Sequence, residues 1–176
     1  IICSRSFGRR VADLDALRQA ASLYTGRAAV RLRRQQSLCR ELSVQLHTGS
    51  FNSGDGVRVR SGHVPLDPPT ADSRRLVRAA LAVVERLWQP GQTYRKAGVV
   101  LGDLVAAEGW QPGLWTPPER PGSASLMAAL DRINSRFGGG TLQLASDGLE
   151  RPWSMRRGMA SPAYTSRWGE LPVARC

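Results

Sequence analysis

The sequence predicts an α+β fold in which two helices cover one face of a four-stranded sheet in the order βαββαβ, followed by a linker and a small α+β C-terminal domain. Three observations carry this. Two long segments repeat apolar residues at three- and four-residue steps, and shorter segments around them alternate apolar and polar residues with period two. A proline-rich break at residues 110–122 interrupts both patterns. A chain of 176 residues accommodates one domain of ordinary size and a smaller one.

The first strand is the extended ICSRSFG, which ends at Gly8. From Asp13 to about Gln35, Leu14, Leu17, Ala21, Tyr24, Ala28 and Leu32 form one apolar stripe. Asp13 and Asp15 stand at the start of this helix and Arg31, Arg33 and Arg34 at its end, each complementing the helix dipole. Residues 41–48 then alternate, with Leu42, Val44 and Leu46 on one side and Ser43, Gln45 and His47 on the other. After a glycine-rich turn, Val57 and Val59 are expected inward and Arg58 and Arg60 outward. A second helix over residues 72–88 aligns Leu76, Ala80, Val83, Val84 and Leu87 and stops at Gln89-Pro90-Gly91. The last strand, residues 93–101, directs Ala97, Val99 and Leu101 inward and Tyr94 and Lys96 to the opposite, open face.

Beyond the break, residues 123–137 form a helix with the stripe Leu126, Leu130, Ile133 and Phe137. Ser123 or Ser125 is expected to cap it and Gly138 to end it. Residues 141–145 alternate as a strand, and the remainder is expected to pack irregularly against that helix and strand.

The formal charge is +11, from 25 basic and 14 acidic residues. Residues 1–50 carry +6, residues 51–110 carry +2 and residues 111–176 carry +3. Such a surface attracts phosphates over a screening length of about 8–10 Å. Nucleic acid is therefore the first expected partner. All basic residues but Lys96 are arginines, whose planar fork suits bidentate phosphate contacts.

The apolar runs end at Glu85 and Asp103, well short of the roughly 20 residues of a membrane span. Cys3, Cys39 and Cys176 form neither a disulfide framework nor a zinc-type spacing, which fits a reducing cytosol. The chain begins at Ile1 rather than Met and reads as a piece of a longer protein. Catalysis finds no constellation: Asp13 and Asp15 open a helix, His47 and His63 lack neighbouring ligands, and Gly138–Gly140 ends a helix instead of starting one. Two features point to function instead. SRSFGRR offers Arg5, Arg9 and Arg10 beside a glycine that permits close backbone approach, and Gln111, Leu114 and Trp115 lie on the linker as a short peptide fit for an apolar pocket.

SRSFG with the helix that follows it, the YRKAGVVLGDL strand, the QPGLW linker and the C-terminal LMAALDRINSRFG, SPAYTSRW and ELPVAR together resemble the UmuC-type Y-family translesion DNA polymerases of the bacterial SOS response. The resemblance covers essentially the whole chain. It implies that residues 1–108 are the little-finger, DNA-binding domain, 109–122 a linker with a sliding-clamp-binding motif, and 123–176 a small domain of unknown function. The catalytic palm carboxylates, and the magnesium they hold, are expected to precede Ile1, so the chain itself is expected to be inactive and without a cofactor. Implied DNA contacts are Arg5, Ser6, Arg9, Arg10, Arg58, Arg60, Arg95 and Lys96. Implied clamp contacts are Gln111, Leu114 and Trp115, where Trp115 replaces the family's usual phenylalanine. The implied partners are primer-template DNA and the sliding clamp, with the processed UmuD dimer and RecA beside them, in the bacterial cytoplasm at the nucleoid. The alternative is a basic αβ RNA-binding or protein-interaction module. Base-stacking aromatics are sparse on the expected open face, where Tyr94 stands alone, and this favours duplex backbone contact.

Overall fold

The computed structural model describes residues 1–49, 58–116, 120–155, 162, 164 and 167–171. Six elements form the main body: β1 (Ile2–Val11), α1 (Leu14–Arg34), β2 (Ser37–Thr48), β3 (Arg58–Thr70), α2 (Ser73–Leu87) and β4 (Tyr94–Ala106). The four strands make one antiparallel sheet in the order β1-β4-β2-β3. Both helices lie on one face of it.

Local chemistry sets the helix ends. Asp13 caps α1 by accepting the Ala16 N–H at 2.9 Å, and Arg31, Arg33 and Arg34 occupy the last turn. Asp72 caps α2 by accepting the Arg74 N–H at 2.7 Å. The buried face of α1 is Leu17, Ala20, Ala21, Tyr24, Ala28, Ala29 and Leu32, whose many alanines bring the helix close to the sheet. Leu76, Ala80, Val83 and Val84 of α2 complete the helical side of the core, over Leu42, Val44 and Leu46 of β2 and Ala97, Val99 and Leu101 of β4. At Gly62 of β3 an added Cβ would stand 3.0 Å from the Val83 side chain, so the helix approaches as far as a glycine permits.

The strands run longer than the alternation predicted, and two facings differ. On β4, Tyr94 is fully buried instead of facing the open side. Its ladder to β2 shifts between the His47–Lys96 and Thr48–Tyr94 pairs, placing one extra residue, Arg95, in β4 and rotating Tyr94 inward. Its hydroxyl there accepts the Gln89 N–H at 2.9 Å. On β3, Arg60 pairs with Leu46 and Arg58 with Thr48, whereas Val59 pairs with His47. Directly opposed residues share a face. Arg58 and Arg60 therefore lie on the helix-covered side and Val59 on the open face, the reverse of the predicted parity. Val57 lies outside the described residues. β3 tolerates Pro65, Pro68 and Pro69 because it is an edge strand with one partner.

The C-terminal segment also departs from expectation. α3 (Ser123–Phe137) has the predicted bounds, but Gly122 caps it without a side-chain bond, and the Ser123 hydroxyl donates to Asp72 at 2.5 Å instead. Its predicted stripe is not its buried face: Leu126 and Phe137 are exposed, and Ser123 and Met127 are the buried positions. Residues 141–144 form no strand, and Ala145–Asp147 is a single 3₁₀ turn. The described part of residues 123–176 thus carries helices only. It builds no separate core around α3 but docks on α1 and α2.

Three contacts fix that docking. Arg33 of α1 forms a bidentate pair with Asp131 of α3, both bonds at 2.7 Å. Ser22 of α1 donates to Asp147 at 2.5 Å. Trp153, 1% exposed, stacks edge-on against Phe7 of β1 and Tyr24 of α1, with ring centroids 6.0 and 6.1 Å away. Its indole N–H donates to Gln19 at 3.2 Å. Cys3 and Cys39 are buried free thiols, Cys176 lies outside the described residues, and among the described residues no helix is long and apolar enough to cross a membrane.

Candidate nucleic-acid interface and linker peptide

The pairing registers define the open face row by row. One row crosses all four strands as Ser6, Lys96, His47 and Val59. The next is Ser4, Gly98, Gln45 and Ser61, and the third Ile2, Val100, Ser43 and His63. Small and neutral side chains dominate the middle. A Cβ on Gly98 would stand 2.9 Å from that of Ser4, so the second row is a shallow trough. Such a surface reaches a phosphate backbone without large side chains that read bases.

Of the predicted DNA contacts, Ser6 and Lys96 meet as neighbours on this face. Arg95 is exposed at the β4 irregularity, and Arg9 and Arg10 are exposed where β1 loses register after Ser6. Arg5 pairs with Ala97 and stands on the helix side, as do Arg58 and Arg60. The positive charge therefore rims the sheet, and Lys96 is the cation in its open rows. Gly8 also serves another purpose: an added Cβ would lie 2.5 Å from the Ser154 carbonyl oxygen, so the close backbone approach it permits is made by this chain's own C-terminal segment.

His47, flanked by Lys96, has its pKa lowered, first by burial and then by the lysine charge. Ser61 and His63 escaped the sequence reading because the third strand was not followed past Arg60. Val64 and Leu66 at period two were the available signal. Among the described residues no three His, Cys, Asp or Glu side chains converge as a metal site.

On the linker, Gln111 is exposed and Leu114 and Trp115 are 98% and 95% exposed. A turn in which the Thr116 N–H donates to Gly113 at 2.9 Å presents them. Leu114 and Trp115 are adjacent in the chain and both lie almost wholly in water, as do Leu149 and Trp168 at 98% and 88%.

A family model described as the impB/mucB/samB family C-terminal domain matches residues 1–114. The chain belongs to this family. A second model, described as a domain of unknown function, DUF4113, matches residues 124–174. Protein UmuC of Salmonella typhimurium is 41% identical over 97% of this chain, and Protein ImpB of the same organism 38% identical over 99%. Protein MucB of Escherichia coli is 37% identical over 99%. In each case the match covers 41% of the relative, so the chain spans well under half the length of these impB/mucB/samB proteins. A solved complex of a beta-clamp processivity factor and the little finger domain of PolIV aligns with a TM-score of 0.44 at 12% identity, over 69% of this chain and 97% of that one.

Proposed function

We propose that this chain is the DNA-gripping and sliding-clamp-binding C-terminal part of an error-prone translesion DNA polymerase acting in SOS repair and mutagenesis. The observation that carries it is the near-complete exposure of Leu114 and Trp115 on a segment that leaves a sheet domain with a basic rim. Membership of the impB/mucB/samB family, whose C-terminal domain model matches residues 1–114, supports it. The sheet lies against the duplex, Lys96 and Ser6 meet phosphates in the centre, and Arg9, Arg10 and Arg95 do so at the rim. Gln111, Leu114 and Trp115 fill an apolar pocket on the clamp. Arg5, Arg58 and Arg60 reach DNA only around the sheet edges. The palm that precedes this chain in the parent protein supplies the carboxylates and magnesium. The processed UmuD dimer and RecA are further partners of the assembly, in the bacterial cytoplasm.

Binding of the 176-residue chain to primed duplex DNA tests the DNA half. With about six phosphates neutralised, affinity should drop roughly a thousandfold or more between 50 and 200 mM salt. A flat salt response would overturn the DNA reading, and a strong preference for single-stranded RNA would favour the RNA-binding alternative.

A further inference from the structure

The exposed side of α1 is rich in arginine. Arg27, Arg31 and Arg34 follow one another at steps of four and three, so they share one helix face and span about 10 Å of its axis. That face looks across a cavity of about 600 Å³ at the C-terminal segment, which contributes Arg151 and the triplet Gly138–Gly140. Leu23 and Val30 on one wall and Leu142 and Leu144 on the other supply apolar surface.

Of the two carboxylates lining the cavity, Asp131 is held in its bidentate pair with Arg33, and Asp147 accepts the Ser22 hydroxyl while also lying in the field of Arg27 and Arg151. None of the four arginines forms an ion pair with a described carboxylate. Arg31 donates to the Ile2 carbonyl at 3.0 Å, and Arg151 is braced by the Asp147 carbonyl at 3.1 Å and by the Gln143 side chain. Arg27 lines the cavity from α1 and Arg151 from the C-terminal segment. Nothing stands within 4 Å of a Cβ placed on Gly138, Gly139 or Gly140, so that wall leaves its backbone open to a bound group.

We propose that this cavity binds the phosphate chain of a small polyphosphate, either inorganic tripolyphosphate or the triphosphate of a free nucleotide. Planar guanidinium forks spaced along about 10 Å match several phosphate groups in a row. The volume lies in the range of small-molecule sites and is far too small for a duplex. The cavity also lies on the helix-covered side of the sheet, so it can be filled while the open face holds DNA.

The test is calorimetric titration of the full 176-residue chain with sodium tripolyphosphate at about 0.15 M salt, where long-range attraction is screened beyond about 8 Å. Saturable binding at one site per chain is expected. The double variant Arg27→Gln with Arg34→Gln, both exposed side chains, should weaken it about tenfold or more, as loss of two charge-assisted contacts implies. Arg151→Gln on the other wall should weaken it as well, and Lys96→Gln on the open face should leave it unchanged. Thermal unfolding of each variant identifies any that fails to fold. A nucleoside triphosphate separates the sources: equal affinity assigns recognition to the phosphates alone, and tighter binding places the base on Leu142 and Leu144. Absence of saturable binding would overturn the proposal. So would equal weakening by Lys96→Gln, or binding confined to a single-stranded oligonucleotide.

Discussion

The amide of Gly8 donates to the carbonyl of Trp153 at 2.9 Å, tying a strand near the start of the chain to the segment that follows α3. The indole of Trp153 then fills the space between Phe7 and Tyr24, and the core of the sheet domain includes it. The C-terminal segment is in this respect a structural part of the sheet domain. Trp153→Ala should cost about 3–5 kcal/mol of unfolding free energy, as loss of a buried aromatic does. Gly8→Val should also destabilise, because its side chain meets the Ser154 backbone. Urea denaturation of both variants measures this, and a change under about 0.5 kcal/mol, the range of an ordinary surface substitution, would contradict the shared core.

Asp72 joins the same two parts through polar contacts. Burial raises its carboxyl pKa, but hydrogen bonds from the Arg74 side chain and the Ser123 hydroxyl, then the Arg74 N–H and charge, outweigh this and hold it at about 2. The folded value lies below the unfolded one, so the stabilisation is complete above about pH 4 and is lost as pH falls toward 2. It amounts to roughly 2 kcal/mol. Acid unfolding of wild type and Asp72→Asn should differ in slope across that window, with the variant showing the flatter dependence.

His47 offers a pH signature for the open face. Burial and the neighbouring Lys96 charge favour its neutral form. A phosphate seated on that row favours the protonated form, so binding takes up a proton and affinity for primed DNA should rise as pH falls from 7 to 6. Replacing His47 with Gln should flatten the profile. Binding anisotropy at several pH values reads the difference.

The sheet's facings yield a contrast in salt dependence. Lys96→Gln should reduce the slope of log affinity against log salt by about one and weaken binding to all sequences alike. Arg60→Gln should change that slope less, because Arg60 shares the face of Leu46. The opposite ranking would place DNA on the other side of β3.

Much of this organisation was legible in the residues. Asp13 and Asp15 marked the start of the first helix because carboxylates there complement the helix dipole, and Leu42, Val44 and Leu46 marked a half-buried strand by strict alternation. Tyr94 misled because a register shift is a tertiary event that leaves no period in the sequence. Arg58 and Arg60 misled for a related reason. Two residues of alternation beside a turn fix no parity, whereas Gly62, Val64 and Leu66 further along do. The docking of Trp153 was hidden because a lone aromatic in an aperiodic segment carries no record of a partner some 130 positions away. At the linker, composition was enough: prolines removed regular structure, and Leu114 and Trp115 had no element in which to bury themselves.

The most direct test of the proposed role is the pair Leu114→Ala and Trp115→Ala in the full 176-residue chain, measured for sliding-clamp capture and for primed-DNA affinity in one buffer. Clamp capture should be abolished and DNA affinity should stay nearly intact, because both side chains lie almost wholly in water. Equal loss of both activities would show that these residues are structural, and undiminished clamp capture would show that the linker is not the clamp-binding element.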